Sequence, residues 1–96
     1  ERAVSKDDPE ALVTLGEIYW RGEHVETRKD TAYSYFVKAA GQGHPRAQNN
    51  LAMMYLLGDG IPLDRKLGLQ WLEIAAENGY EPAEENLKVF RSTSQR

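Results

Sequence analysis

The sequence predicts an all-α fold, a right-handed α-solenoid built from helix-turn-helix repeats. Three observations carry that prediction. The chain nearly repeats itself after 36 residues once Pro9 is set against Pro45. Within each copy the apolar residues recur at helical spacing, and glycines fall where two helices per copy would stop. The stretch PEALVTLGEIYWRGEHV from Pro9 returns as PRAQNNLAMMYLLGDGI from Pro45, and AYSYFVKAAGQG from Ala32 returns as GLQWLEIAAENG from Gly68. Pro9/Pro45, Ala11/Ala47, Leu15/Leu51, Tyr19/Tyr55, Gly22/Gly58, Ala39/Ala75, Ala40/Ala76 and Gly43/Gly79 are identical. A fixed period in this range implies stacked units, each too small to bury its apolar face alone.

Taken in order, one period before Ala39-Ala40 lie Ala3-Val4, so residues 1–8 read as the tail of a preceding unit's second helix. With Glu1 in place of an initiating methionine, this register predicts an excised piece with more repeats upstream. Residues 9–44 form the first repeat. Its opening helix starts at Asp8-Pro9-Glu10, a capping carboxylate, a proline in the first turn and an acid at the positive dipole end. Ala11, Leu15, Ile18 and Tyr19 make its apolar face, and Gly22 supplies a left-handed stop. A second helix starts near Lys29, with Ala32, Tyr35, Phe36, Ala39 and Ala40 facing inward, and Gly43 closes it. Residues 45–80 repeat the plan: Ala47, Leu51, Met54 and Tyr55, then Gly58, then a helix from Asp64 carrying Leu67, Trp71, Leu72, Ala75 and Ala76, closed by Gly79. Residues 81–96 predict a capping helix with a polar tail. Ala83 and Leu87 keep register there, but Arg91 stands where Tyr19 and Tyr55 stand in the other copies.

Composition narrows the function. A formal charge of -3 argues against the basic footprint of a nucleic-acid binder. There is no cysteine for a disulfide framework or thiolate metal site, and no apolar run of membrane-spanning length. Compartment stays unassigned. The two imidazoles, His24 and His44, both fall in turns, and no serine sits in a nucleophile elbow. Gly58-Asp59-Gly60 lacks the lysine-serine pair of a phosphate loop. These absences predict no catalytic site, metal or cofactor.

The run Gly58-Asp59-Gly60-Ile61-Pro62-Leu63-Asp64 and the twice-repeated Ala-Ala-x-x-Gly resemble the Sel-1-like repeat, a relative of the tetratricopeptide repeat, over nearly the whole chain. The tetratricopeptide period is shorter, about 34 residues. The resemblance implies an α-solenoid adaptor that holds protein partners together, and it implies no chemistry. Cysteine-rich relatives have been ascribed β-lactam binding, but this chain lacks their paired cysteines. The first copy departs from the loop pattern at Gly22-Glu23-His24-Val25-Glu26-Thr27-Arg28, with His24 where the second glycine belongs. If that position needs positive φ, the side chain costs roughly 1 kcal/mol. His24→Gly is therefore expected to be neutral or stabilising in thermal melts.

In such a stack the first helices line the concave face, and the side opposite the tyrosines and leucines meets a partner. Helical spacing places Glu10, Thr14, Glu17 and Arg21 there from the first copy, flanked by Val13 and Trp20. The second copy adds Arg46, Asn50, Met53 and Leu57, flanked by Asn49 and Leu56, and the third adds Glu85, Asn86 and Val89. Asn50 and Asn86 match across the period, and an amide both donates and accepts along a peptide backbone. Trp20, Met53 and Leu57 offer apolar anchors, with inter-unit packing as the alternative role for Trp20. The predicted partner-binding set is Glu17, Trp20, Arg21, Arg46, Asn50, Met53, Leu57 and Asn86, for a protein or peptide partner, with neither nucleic acid nor membrane insertion. Glu77, Glu81, Glu84 and Glu85 read as a solvated acidic surface. Two rival roles are a homodimer through exposed repeat ends and an inhibitor that blocks a single enzyme.

Overall fold

The computed structural model describes residues 8–22 and 27–94. They form five helices: α1 (Pro9–Arg21), α2 (Lys29–Gly41), α3 (Pro45–Leu57), α4 (Arg65–Glu77) and α5 (Glu81–Ser94). Residues 1–7, the loop around His24, and residues 95–96 lie outside the described residues, so the expectations placed on them stay as such. Each helix packs on its neighbours in the chain, which sets α1, α3 and α5 in one layer and α2 and α4 in the other. This is an all-α helical repeat solenoid.

Local chemistry starts and stops each helix. Asp8 Oδ2 accepts from the Ala11 N–H at 3.1 Å, and Pro9 occupies the first turn. His44 takes the same place before α3, where its Nδ1 accepts from the Ala47 N–H at 3.4 Å. Asp64 Oδ1 caps α4 through the Leu67 N–H at 3.0 Å. Gly22 (φ +77°) and Gly58 (φ +63°) end α1 and α3 in the left-handed region. The Ala-Ala-x-x-Gly runs are Schellman endings. Gly43 N–H donates to Ala40 O and His44 N–H to Ala39 O, at 3.0 and 3.2 Å. Gly79 and Tyr80 repeat this with Ala76 O and Ala75 O, at 2.9 and 3.1 Å. The inter-helix loops also close alike, by Arg28 N–H to Tyr19 O and, one period later, Asp64 N–H to Tyr55 O, both at 2.9 Å.

The core corrects the sequence reading of the first helices. α3 is buried on two sides. Ala47, Leu51 and Met54 join Leu12, Val13, Ala32, Phe36, Ala39 and Ala40 in one apolar cluster, while Ala52 and Leu56 join Leu72, Ala75, Ala83 and Leu87 in a second. A first helix therefore has one face toward the second helix before it and another toward its own. In α3 the former carries Ala47, Leu51 and Tyr55, which are identical to the first repeat. The expected flank residues Val13, Asn49 and Leu56 are all buried, because they lie on the latter face. Leu15, expected inside, is 38% exposed, whereas its period mates Leu51 and Leu87 are buried. No described helix precedes α1 to cover it.

Within each repeat, volume is matched across the helix pair. A Cβ on Gly16 would lie 2.5 Å from Cε1 of Phe36, so the phenyl ring fills the space a side chain on α1 would take. In the second repeat the same two columns hold Ala52 and Leu72. The neighbouring columns reverse the arrangement. Gly68 on α4 sits under Leu56, whose Cγ a Cβ would approach to 2.6 Å, while the first repeat holds Ala32 and Trp20 there. Each repeat thus reaches close packing by its own combination.

Candidate interaction surface

The outer side of α1 and α3 carries a polar network that spans the two repeats. Glu17 Oε2 accepts from Arg46 Nε at 3.1 Å and from Asn50 Nδ2 at 2.9 Å. Arg46 Nη2 reaches Glu10 Oε2 at 3.4 Å, and His44 Nε2 lies 2.8 Å from Glu10 Oε1. Because His44 Nδ1 accepts the Ala47 N–H, Nε2 carries the hydrogen in this arrangement and donates it to Glu10. That hydrogen bond, followed by the Arg46 charge, holds the Glu10 carboxyl below the ordinary carboxylate range. Four of these side chains satisfy one another from opposite repeats, so the network needs no partner to be complete.

The structure brings Glu17, Arg46 and Asn50 of the predicted set together here. Asn86 stands one period further on, half-buried, and its Nδ2 donates to Asn49 Oδ1 at 3.1 Å. Both asparagines thus tie α1 to α3 and α3 to α5. Arg21 is exposed at the end of α1. Met53 is half-buried against the second cluster, while Leu57 and Val89 are 57% and 58% exposed on α3 and α5. Leu57 and Val89 thus add two open apolar side chains to a face that is otherwise polar.

Trp20 is engaged differently. It packs on the first cluster, its Nε1–H donates to Asp59 Oδ2 at 2.8 Å, and Lys29 Nζ lies 5.1 Å from its ring centroid. Lys29 Nζ also donates to Asp59 Oδ2 at 3.1 Å. The indole hydrogen bond, aided by Lys29 and opposed by burial, draws the Asp59 carboxyl below its usual value. Across the helix pairs, Tyr33 of α2 and Tyr55 of α3 share a hydroxyl-to-hydroxyl contact of 2.7 Å, and Tyr19 of α1 stacks on Tyr35 of α2. Burial and the Tyr33 bond push the Tyr55 phenol up to about 12.

Two polar residues escaped the sequence reading. Gln48 is buried, and its Nε2–H donates to Ala40 O at 3.2 Å while its Oε1 accepts from Asn78 Nδ2 at 3.0 Å. It joins the ends of α2 and α4 through α3. The only signal available was a glutamine in a column that holds Leu12 in the first copy. Asp59 was read as part of a loop signature, with nothing in its spacing to point at Trp20, 39 residues earlier. Among the described residues no cluster of three or more His, Cys, Asp or Glu is placed to hold a metal ion, and no helix is long and apolar enough to cross a membrane.

Comparison with known proteins places these features among relatives. The chain matches the Sel1 repeat over residues 4–44 and 45–80. An F-box protein of Arabidopsis thaliana is 36% identical over 80 residues, which is 82% of this chain and 21% of that protein. An uncharacterised protein of Neisseria meningitidis serogroup B is 37% identical over 54 residues, or 56% of this chain and 12% of that one. A Sel1 repeat protein from Oxalobacter formigenes superposes with a TM-score of 0.83 at 33% identity, covering 85% of this chain and 34% of that one. A protective antigen of uropathogenic Escherichia coli, described as displaying an SLR fold, gives 0.80 at 34% identity, with 82% and 17% covered. Helicobacter pylori cysteine rich protein B gives 0.79 at 25% identity, with 84% and 61% covered. The chain spans less than two thirds of each.

Proposed function

Because this chain belongs to the Sel1 repeat family, we propose that it binds a protein or peptide partner, without chemistry of its own, on the face lined by α1, α3 and α5. Sel1 repeat proteins are generally protein-interaction modules. The observation that favours this face is the exposure of Leu57 and Val89 beside a polar network already satisfied internally. Large apolar side chains left open next to an internally hydrogen-bonded polar ridge suit the anchor-and-rim layout of an interface. Met53 adds a half-buried, adaptable neighbour. Arg21, Glu17, Arg46, Asn50 and Asn86 would set the rim.

A photo-crosslinking side chain placed at Leu57 or Val89, and as a control at Ser34 or Gln70 on the second helices, tests the reading in a lysate of the source cells. Adducts to one protein from the first pair alone are expected, and Leu57→Asp with Val89→Asp should weaken that complex at least about tenfold. Adducts from the second helices instead would move the site to the other layer. Leu15 favours a second reading, in which another copy of the chain covers the open face of α1. A mass that rises with concentration in light scattering, and falls in Leu15→Lys, would support it.

A further inference from the structure

The geometry points to a latch between the repeats: the second repeat's loop is fastened to the first repeat through Asp59, and the latch fixes how Leu57 and Leu63 are presented. Asp59 lies 39 residues from Trp20 and 30 from Lys29, yet one carboxylate oxygen accepts from both, at 2.8 and 3.1 Å. Trp20 ends α1 and Lys29 starts α2, so the two donors come from opposite sides of the first repeat's turn. Lys29 also lies over the indole ring, which closes a three-way contact of anion, cation and aromatic face.

The backbone around Asp59 is shaped for this approach. Gly60 has φ +84°, and a Cβ on it would come within 2.3 Å of the Lys29 Cβ, so only glycine lets the loop lie against the start of α2. Ile61, next in the chain, packs on the first apolar cluster. The loop is pinned within its own repeat by Asp59 N–H to Met54 O at 3.0 Å and Asp64 N–H to Tyr55 O at 2.9 Å. Gly58 brings the chain back so closely that a Cβ there would lie 3.1 Å from the Leu63 Cβ. Leu57 and Leu63 thus stand on either side of the fastened turn, and both are exposed.

Lys29 and Asp59 are only about two thirds shielded, with side-chain exposures of 33% and 30%. Water therefore reaches both charged ends of the fastening, while Trp20 and Ile61 tie it to the first apolar cluster. This inference touches the proposed interaction face through Leu57, but it is a property of the free chain and stands or falls without a partner.

Hydrogen exchange followed by NMR reads it directly, on wild type, Asp59→Ala and Trp20→Phe. The phenylalanine keeps an aromatic ring and removes the donor. Either change should speed exchange of the backbone amides at positions 59 and 64 about tenfold or more, and Asp59→Ala should do the same to the Trp20 indole N–H, while α4 and α5 amides keep their protection. The double variant should show little more than Asp59→Ala alone, which already cuts the bond that Trp20→Phe removes. Unchanged loop amides would overturn the latch. So would equal acceleration in every helix, which would make Asp59 an ordinary contributor to global stability.

Discussion

At the scale of single residues, Gly16 against Phe36 is a tight constraint inside the core. Gly16→Ala should destabilise the chain by about 1–3 kcal/mol in urea unfolding, because the added methyl must displace a fully buried ring. Phe36→Leu in the same chain should recover part of that loss by restoring the combination found at Ala52 and Leu72. Titration gives a second test. Asp59 and Glu10 bind their protons less readily folded than free, so their contribution is present above the ordinary carboxylate values of 3.8 and 4.5 and fades as pH falls below them. Tyr55 runs the other way. Its phenol keeps its proton up to about 12 when folded against 10.0 when free, so stability should decline as pH rises between those values. Melting curves across pH should show both limbs. Asp59→Asn should flatten the acid limb and Tyr55→Phe the alkaline one; limbs unchanged in both variants would contradict these assignments.

At the scale of helices, α3 is the element on which the most depends. Gln48→Ala would leave the Ala40 carbonyl with its Gly43 N–H alone and remove the acceptor for Asn78, at about 1–2 kcal/mol. Gln48→Leu, which copies the first repeat's Leu12, should remove the same two bonds. How much of this was legible beforehand depended on which face of a helix was asked about. The face toward the preceding unit was plain, since Ala47, Leu51 and Tyr55 recur unchanged, and the glycine stops followed from backbone geometry. The face toward a helix's own partner was hidden, because Val13, Gly16 and Trp20 share no identity with Asn49, Ala52 and Leu56. Each repeat fills that interface with its own set of side chains. Spacing alone set Glu17, Arg46 and Asn50 on one side of their helices, and they meet there. Spacing could not say that Glu17, Arg46 and Asn50 had already found one another, since that depends on how far one helix is shifted along the next.

At the scale of the whole molecule, α3 contributes to both apolar clusters, so neither repeat can lose its packing without disturbing the other. The described helices should therefore unfold as one cooperative unit, against the stepwise melting that weakly coupled repeats would show. The chain supplies its own reporters: Trp20 in the first repeat and Trp71 in the second. Single-tryptophan variants, Trp71→Phe and Trp20→Phe, followed by fluorescence and by circular dichroism, should give coincident urea transitions. Leu51→Ala should move both midpoints together, by the equivalent of about 2–5 kcal/mol.

The paired glycines carry a lesson for anyone who would build longer arrays from these units. Designers often average the columns of a tandem sequence and extend the mean. Here the columns are linked across the turn, so the mean is not a solution: Ala at the Gly16 place with Phe at the Phe36 place would collide, and Gly there with Leu opposite would leave a void. A usable building block has to inherit whole helix pairs, as two distinct editions of one unit.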